Sequence, residues 1–175
     1  FIGPKASVTS SAGSFTMNSM SDANITISQV GVGGGLGLSF IYLGDTNHTW
    51  SYLDTGSMVN AKGDVTVKAV GQEDITSVAA LVNGSSGISA SGNVYVVNTD
   101  TKAYVGHSGD TVATQVTAGD GVDVAAQDDS NLTLIGGTAG SGSSGALGVD
   151  VVTKNTNAYI GDAAVIQAQT SIGGD

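Results

Sequence analysis

The stretch Asn93 to Gly106, NVYVVNTDTKAYVG, decides the fold because the chain repeats it. It returns later in the chain as Gly148 to Gly161, GVDVVTKNTNAYIG, with valines, threonine, alanine, tyrosine and glycine in register. An aromatic marker accompanies the repeat at nearly equal intervals, at Phe1, Tyr52, Tyr104 and Tyr159. A sequence that repeats itself on this scale without helical periodicity predicts a stacked β architecture.

The composition supports a folded chain and excludes some partners. Glycine occurs 27 times and proline once, but 40% of the residues are apolar, and valine and isoleucine alternate with polar residues. The net charge of −10, with 5 lysines and no arginine, disfavours nucleic acid and anionic lipid as partners. The apolar runs are too short for membrane insertion. The absence of cysteine fits a cytosolic protein or a large exported one stabilised by stacking.

Pairs of valines separated by one residue predict the strands. The first valines of four such pairs, Val65, Val94, Val122 and Val149, recur at intervals of about 27 to 29 residues. This spacing predicts a parallel β-helix of about six coils of roughly 27 residues, whereas a coil of about 18 residues is the competing register. The predicted inward ladder is Phe15, Leu38, Val65, Val67, Val94, Val96, Val122, Val124, Val149 and Val151.

The longer repeat defines the predicted domain organisation. We expect one solenoid segment made of tandem repeats at about 1–51, 52–103, 104–158 and, in part, 159–175, cut from a longer array. Coils of roughly 27 residues would place the repeated tyrosines two coils apart, too far to stack. The open ends of such a segment predict end-to-end self-association. A trimeric β-roll head remains an alternative fold.

The repeats also resemble a known class of protein. The motif GDVTVKA at Gly63 to Ala69, followed by NVYVVNT and TKAYVG, resembles the repeats of large bacterial surface proteins, the leukotoxin-like and filamentous-haemagglutinin-like adhesins. The resemblance implies a secreted, right-handed parallel β-helical rod on the bacterial cell surface. It further implies a structural or adhesive role, a host or bacterial surface receptor or glycan as partner, and neither catalysis nor a cofactor. The first repeat departs from the pattern at Trp50 to Leu53.

Acidic residues are the candidates for chemistry. Gln72-Glu73-Asp74 and Gln127-Asp128-Asp129 occupy matching positions in successive repeats. Their carboxylates suit a weak Ca²⁺ site formed by Asp74, Asp128 and Asp129. A carboxylate pair for glycoside hydrolysis is a second interpretation, and solvated turns are the simplest. The nonapeptide repeat of calcium β-rolls is missing from the sequence, so that motif is not met. The GxSxG elbow is missing as well, and no catalytic site is predicted.

Aromatic and polar surface residues complete the candidates. Tyr42, Trp50 and Tyr52 predict an exposed aromatic patch able to contact sugar rings. His48 and His107 lack the neighbouring ligands that zinc requires. Four Asn-x-Ser/Thr sequons occur, at Asn24, Asn47, Asn83 and Asn131, and chance is a sufficient explanation in a chain so rich in Asn, Ser and Thr. If the protein is exported and modified, Asn47 and Asn83, which are expected on loops, are the favoured glycosylation acceptors.

Overall fold

The structure, a computed structural model, describes residues 1–84 and 86–169 of the 175-residue chain. Within them lie ten β-strands, and this part of the chain contains no helix. The strands are β1 (Ser7–Ser10), β2 (Phe15–Gly33), β3 (Leu36–Leu53), β4 (Met58–Ala61), β5 (Val65–Asn83), β6 (Ile88–Val105), β7 (Gln115–Ala118), β8 (Val122–Gly140), β9 (Ser143–Ile160) and β10 (Val165–Ala168).

The strands form three parallel sheets. A short sheet has the order β1-β4-β7-β10, a first long sheet β2-β5-β8, and a second long sheet β3-β6-β9. The chain passes through the three sheets in turn, and we call each such passage a coil. Every neighbouring pair of strands is parallel and in register along its whole length. The all-β, parallel, stacked architecture predicted from the repeats is therefore confirmed.

The predicted coil length is wrong. Val65 pairs with Phe15 of the preceding coil and Val122 of the following one, and both partners lie in the first long sheet. Val94 lies in the second long sheet, where it pairs with Tyr42 and Val149. Contacts between successive coils join positions 50 to 57 apart, so a coil is roughly twice as long as the valine spacing predicted. The shorter spacing arises because two long strands of similar length, each with its turn, make up most of one coil.

The predicted inward ladder is divided between the two sides of the sheets. Val65 and Val67 are fully buried, and Phe15, Val122 and Val124 pack against the same core. In β6, however, Tyr95 and Val97 are the buried residues, so Val94 and Val96 lie on the outer face. Their partners in β9, Val149 and Val151, lie on that outer face as well and are 39% and 48% exposed. Leu38, which pairs with Ala90, is also outward, at 61% exposed.

The interior between the long sheets contains two apolar clusters. The larger cluster fills the end next to the short sheet, where all three sheets meet, and includes Leu53, Val59, Val67, Val105 and Val116. The smaller one consists of Ile75, Tyr95 and Val97. Polar side chains occupy the interior between the two clusters and again at the far end.

Glycine is required at the turn between the two long sheets. Gly35 has a φ of +88°, a conformation that favours glycine. A Cβ on Gly87 would overlap the backbone of Gly35, and one on Gly142 would overlap the backbone of Gly87. The turns of successive coils therefore stack backbone on backbone, which explains the glycine-rich segments between the long strands.

Candidate functional site

A column of stacked aromatic rings runs along one end of the second long sheet. The centroids of Phe1 and Tyr52 are 5.1 Å apart, those of Tyr52 and Tyr104 are 4.7 Å apart, and those of Tyr104 and Tyr159 are 5.0 Å apart. The planes differ by 5° to 9°. The expectation that these tyrosines are too distant to stack is thus wrong, because one coil, not two, separates them. Each contact adds about 0.5–1.5 kcal/mol beyond area burial.

The ring column is a structural feature more than a ligand platform. Tyr104 is 7% exposed, and both of its ring faces are covered by Tyr52 and Tyr159. Burial, together with the neighbouring tyrosines and carboxylates, raises the pKa of Tyr104 to about 12. Burial also raises the pKa of Tyr159. Because sugars bind to open ring faces, the stacking leaves the inner rings of the column unsuited to that contact.

Asp100 connects three coils on the outer face beside this column. The Trp50 indole Nε1 donates to the Asp100 carboxylate at 3.0 Å and to its backbone carbonyl at 3.1 Å. Lys102 Nζ donates to the same carboxylate at 2.8 Å and lies 5.0 Å from the centroid of the Trp50 ring. Asn155 of the next coil donates to the second carboxylate oxygen at 2.9 Å. We call Trp50, Asp100, Lys102 and Asn155 the Asp100 cluster.

The predicted aromatic patch is only partly assembled. Trp50 is 43% exposed and Tyr52 partly exposed, and both lie on the outer face at neighbouring outward positions of β3. Tyr42 shares that face but lies eight residues away along the strand, or about 26 Å. Asp100 and Lys102 were not among the site residues predicted from the sequence. The interval of 52 residues between Tyr52 and Tyr104 could have indicated the contact, because the same interval separates Trp50 from its strand partner Lys102.

A polar band crosses the interior between the two apolar clusters. Glu73 is 1% exposed and accepts hydrogen bonds from Asn47 Nδ2 at 3.0 Å and Ser130 Oγ at 2.7 Å. Asn47 belongs to the preceding coil and also hydrogen-bonds Ser21, whereas Ser130 belongs to the following coil. These contacts connect three coils. A buried polar residue with fixed partners disfavours a shift in register, since a shift would leave the carboxylate unpartnered.

Asp128 is part of the same band. Its carboxylate, 1% exposed, is 2.8 Å from Lys154 Nζ and accepts a hydrogen bond from Thr101 Oγ1 at 2.8 Å. Burial opposes ionisation, but the hydrogen bonds from Lys154, Thr101 and Thr99 outweigh it and lower the pKa of Asp128 below its ordinary value. Gly71 makes room for this contact, because a Cβ there would lie 2.8 Å from Thr101 Oγ1.

The predicted calcium ligands do not come together. Asp128 faces the interior, whereas Asp74 and Asp129 lie on the outer face and accept hydrogen bonds from Asn131 and Gln127. The register of this sheet differs from the spacing of the sequence repeat, so Asp74 lies beside Asn131 rather than Asp129. In residues 1–84 and 86–169, no group of three or more His, Cys, Asp or Glu side chains is arranged to hold a metal ion.

The favoured glycosylation acceptors are also placed differently. Asn47 and Asn83 lie in strands and face the interior, where Asn83 is 4% exposed. Asn24 and Asn131 are exposed on the outer face of the first long sheet, on either side of Asp74. Of the four sequons, the strand register therefore presents Asn24 and Asn131 at the surface.

The hollow of about 430 Å³ at the third coil is an extension of the interior. Val122, Val124, Ala158 and Ile160, which line it, are inward residues of β8 and β9 on the side that none of the strands in residues 1–84 and 86–169 covers. Asp123 is its one carboxylate and faces outward. It does not present the carboxylate pair that glycoside hydrolysis requires.

Comparisons of the chain with protein-family models, curated proteins and solved structures found no match. In the part of the chain that the structure describes, no helix is long and apolar enough to cross a membrane.

Proposed function

We propose that this chain is a structural and adhesive segment of a secreted bacterial surface protein, built as a right-handed parallel β-solenoid. The observation that carries the proposal is the repetition of one set of contacts through successive coils: the in-register strands, the aromatic column and the glycine turns. An architecture in which each coil is bound by the next supports extension by adding coils. The resemblance of the repeats to bacterial adhesins supports the surface location.

The dimensions favour broad faces over length. A strand of 19 residues spans about 63 Å, whereas three coils rise only about 14 Å along the stacking axis. Each residue therefore adds more to the width of the segment than to its reach from the cell. Presenting wide, flat sheet faces to a receptor, a glycan or another cell is the role that this shape supports, and a spacer role needs many more coils.

Tandem fusions test the structural half of the proposal. Two and three copies of the chain, joined at the natural repeat spacing, should form one continuous stack that gains about 14 Å in height per copy by the strand spacing. Small-angle scattering measures the height directly. Copies that behave as separate bodies on a flexible tether would refute the extendable architecture.

Surface display tests the adhesive half. A non-adherent bacterium that displays the chain should clump or attach to host cells. Antibody staining is used to match the amount of parent chain and of control variant displayed on the cells. Val67→Asp, which we expect to unfold the chain because Val67 is buried in the larger apolar cluster, is the control for non-specific stickiness. Equal attachment by the folded chain and the variant would argue against a role for the folded faces.

Glycan contact at the Asp100 cluster is a second candidate function. Trp50 offers a partly exposed ring next to a carboxylate and an ammonium group, a combination that can hold a sugar by stacking and hydrogen bonds. Titration calorimetry with a glycan panel tests it, with Trp50→Phe as the variant that keeps a ring. Reducing-sugar release from the same panel would instead indicate an enzyme.

A further inference from the structure

We propose that one part of the outer face of the second long sheet is a self-association surface, against which a second copy of this chain packs face to face. We call this part the apolar face. It lies at the end of the sheet remote from the short sheet and comprises the outward residues of β3 from Leu36 to Tyr42, of β6 from Ile88 to Val96 and of β9 from Leu147 to Val151. The inference does not depend on the proposed surface role.

The polarity of the strands at this end is inverted. Ser39, Ser91 and Asn93 face the interior and are 2%, 1% and 1% exposed. The outward residues that alternate with these buried polar residues are apolar, and the large ones among the outward residues of the face are well exposed. The most exposed are Leu36 at 70%, Leu38 at 61%, Phe40 at 57%, Tyr42 at 71%, Ile88 at 62% and Leu147 at 63%. Contiguous apolar surface of this kind indicates a binding surface, since isolated exposed residues would not cluster on one side.

The apolar face is also free of charge. The chain has a net charge of −10, so two copies repel each other over most of their surfaces. None of the outward residues that define the apolar face is charged. Asp150, between Val149 and Val151, pairs with the buried Tyr95 and so lies at an inward position, and the outward charged groups of this sheet begin beyond the face, at His48, Asp100 and Lys102. A face without charge is where two acidic copies can meet with the least repulsion. Anionic lipid, by contrast, would repel the whole molecule.

The surface is flat enough to pack against a copy of itself. Phe40 lies over Gly92, where a Cβ would be 2.9 Å from the ring, so the aromatic side chain fills the space that glycine leaves. The outward positions span at most eight residues on any of the three strands, so the face covers at most about 26 Å by about 14 Å, or roughly 400 Å². Identical strand spacings on the two copies let their side chains interdigitate, as in packed sheets about 10 Å apart.

The area of the apolar face sets the expected affinity of the dimer. A stable interface buries about 800 Å² on each partner, at least twice the area of the apolar face. We therefore expect weak, closed dimers, with a dissociation constant above about 10 µM. End-to-end pairing of terminal coils is a different mode, because it continues indefinitely and gives a series of larger species.

Sedimentation velocity from about 10 µM to about 1 mM distinguishes these modes. The parent chain should form dimers at the upper concentrations, and Tyr42→Asp should weaken dimerisation at least tenfold. Two control variants also add one carboxylate: Thr46→Asp, on the same strand and face beyond the apolar residues, and Val32→Asp, on the first long sheet. Val32 is 83% exposed, and neither control should change dimerisation by more than about twofold.

Mixing Tyr42→Asp with Tyr42→Lys provides a second measurement that loss of folding cannot mimic. Two such faces carry opposite charges, so the mixture should dimerise where each variant alone does not. The proposal would be overturned if Val32→Asp weakened dimerisation as much as Tyr42→Asp, or if the parent chain formed an open-ended series of species. It would also be overturned if the parent chain stayed monomeric at every concentration, or bound neutral lipid vesicles without dimerising.

Discussion

Placing aspartate at Val67 and at Val96 tests which side of each strand faces the core. Val67 is 0% exposed within the larger apolar cluster, whereas Val96 lies on the outer face of β6. The shorter coil predicted from the valine spacing would make both positions inward, so both variants would unfold. The observed coils make the two substitutions unequal, and this inequality is the measurable consequence of the strand register.

The magnitudes follow from the two environments. Val67→Asp forfeits about 1.5–3 kcal/mol of side-chain burial and adds an unpaired buried carboxylate, whose penalty is several kcal/mol. The sum is comparable with the entire stability of a typical domain, about 5–15 kcal/mol. Val96→Asp leaves its carboxylate in water and should cost less than about 1 kcal/mol.

Urea denaturation followed by far-UV circular dichroism measures both variants, at a concentration low enough to keep the chain monomeric. Val67→Ala is the matched control, since it removes volume without adding charge and should cost about 2 kcal/mol. Should Val96→Asp unfold the chain while Val67→Asp leaves the denaturation midpoint near that of the parent, the assigned inward faces are wrong.

Three further predictions concern single contacts. The raised pKa of Tyr104, about 12 against 10.0, means that its stabilisation is complete below pH 10 and is lost as the pH rises toward 12. The free energy of unfolding should fall by roughly 2–3 kcal/mol over this pH range, as measured by urea denaturation. Tyr104→Phe, which has no hydroxyl to ionise, should not show this fall, and an equal fall in that variant would count against the buried hydroxyl. The lowered pKa of Asp128 means that its stabilisation is present above its ordinary pKa of 3.8 and is lost as the pH falls through the lower folded value. Asp128→Asn should therefore flatten the acid limb of a melting-temperature profile, and a limb as steep as that of the parent would contradict the contact with Lys154. Gly87→Ala should destabilise the chain by at least about 1–3 kcal/mol in thermal melts, because its methyl group would overlap the backbone of Gly35. Gly145→Ala, whose methyl group would meet open space, should change stability by less than about 0.5 kcal/mol. Equal effects of the two substitutions would refute the stacked turns.

Tyr95 shows why the alternation of apolar and polar residues was not sufficient to predict all of the core correctly. The segment Val94 to Val97, VYVV, has apolar residues at both parities, so either Val94 with Val96 or Tyr95 with Val97 could face inward. The structure buries Tyr95 and Val97 because they meet Ile75 of the facing sheet. Val65 and Val67 were placed inward by the same rule, and their polar neighbours Thr66 and Lys68 left a single apolar side to bury.

The sequence by itself determined that the chain is a stacked, parallel, all-β repeat, because the long periodicity of the aromatic marker and the alternating valines leave few other ways to bury apolar side chains. The tertiary structure decided how many strands form one coil, since strand pairing between Val65 and Val122 is a non-local contact that no local pattern specifies. It also decided that Glu73 and Asp128 lie inside and that the apolar face lies outside. Those placements depend on which side chains the facing sheet presents, and that information is distributed over residues remote in the sequence.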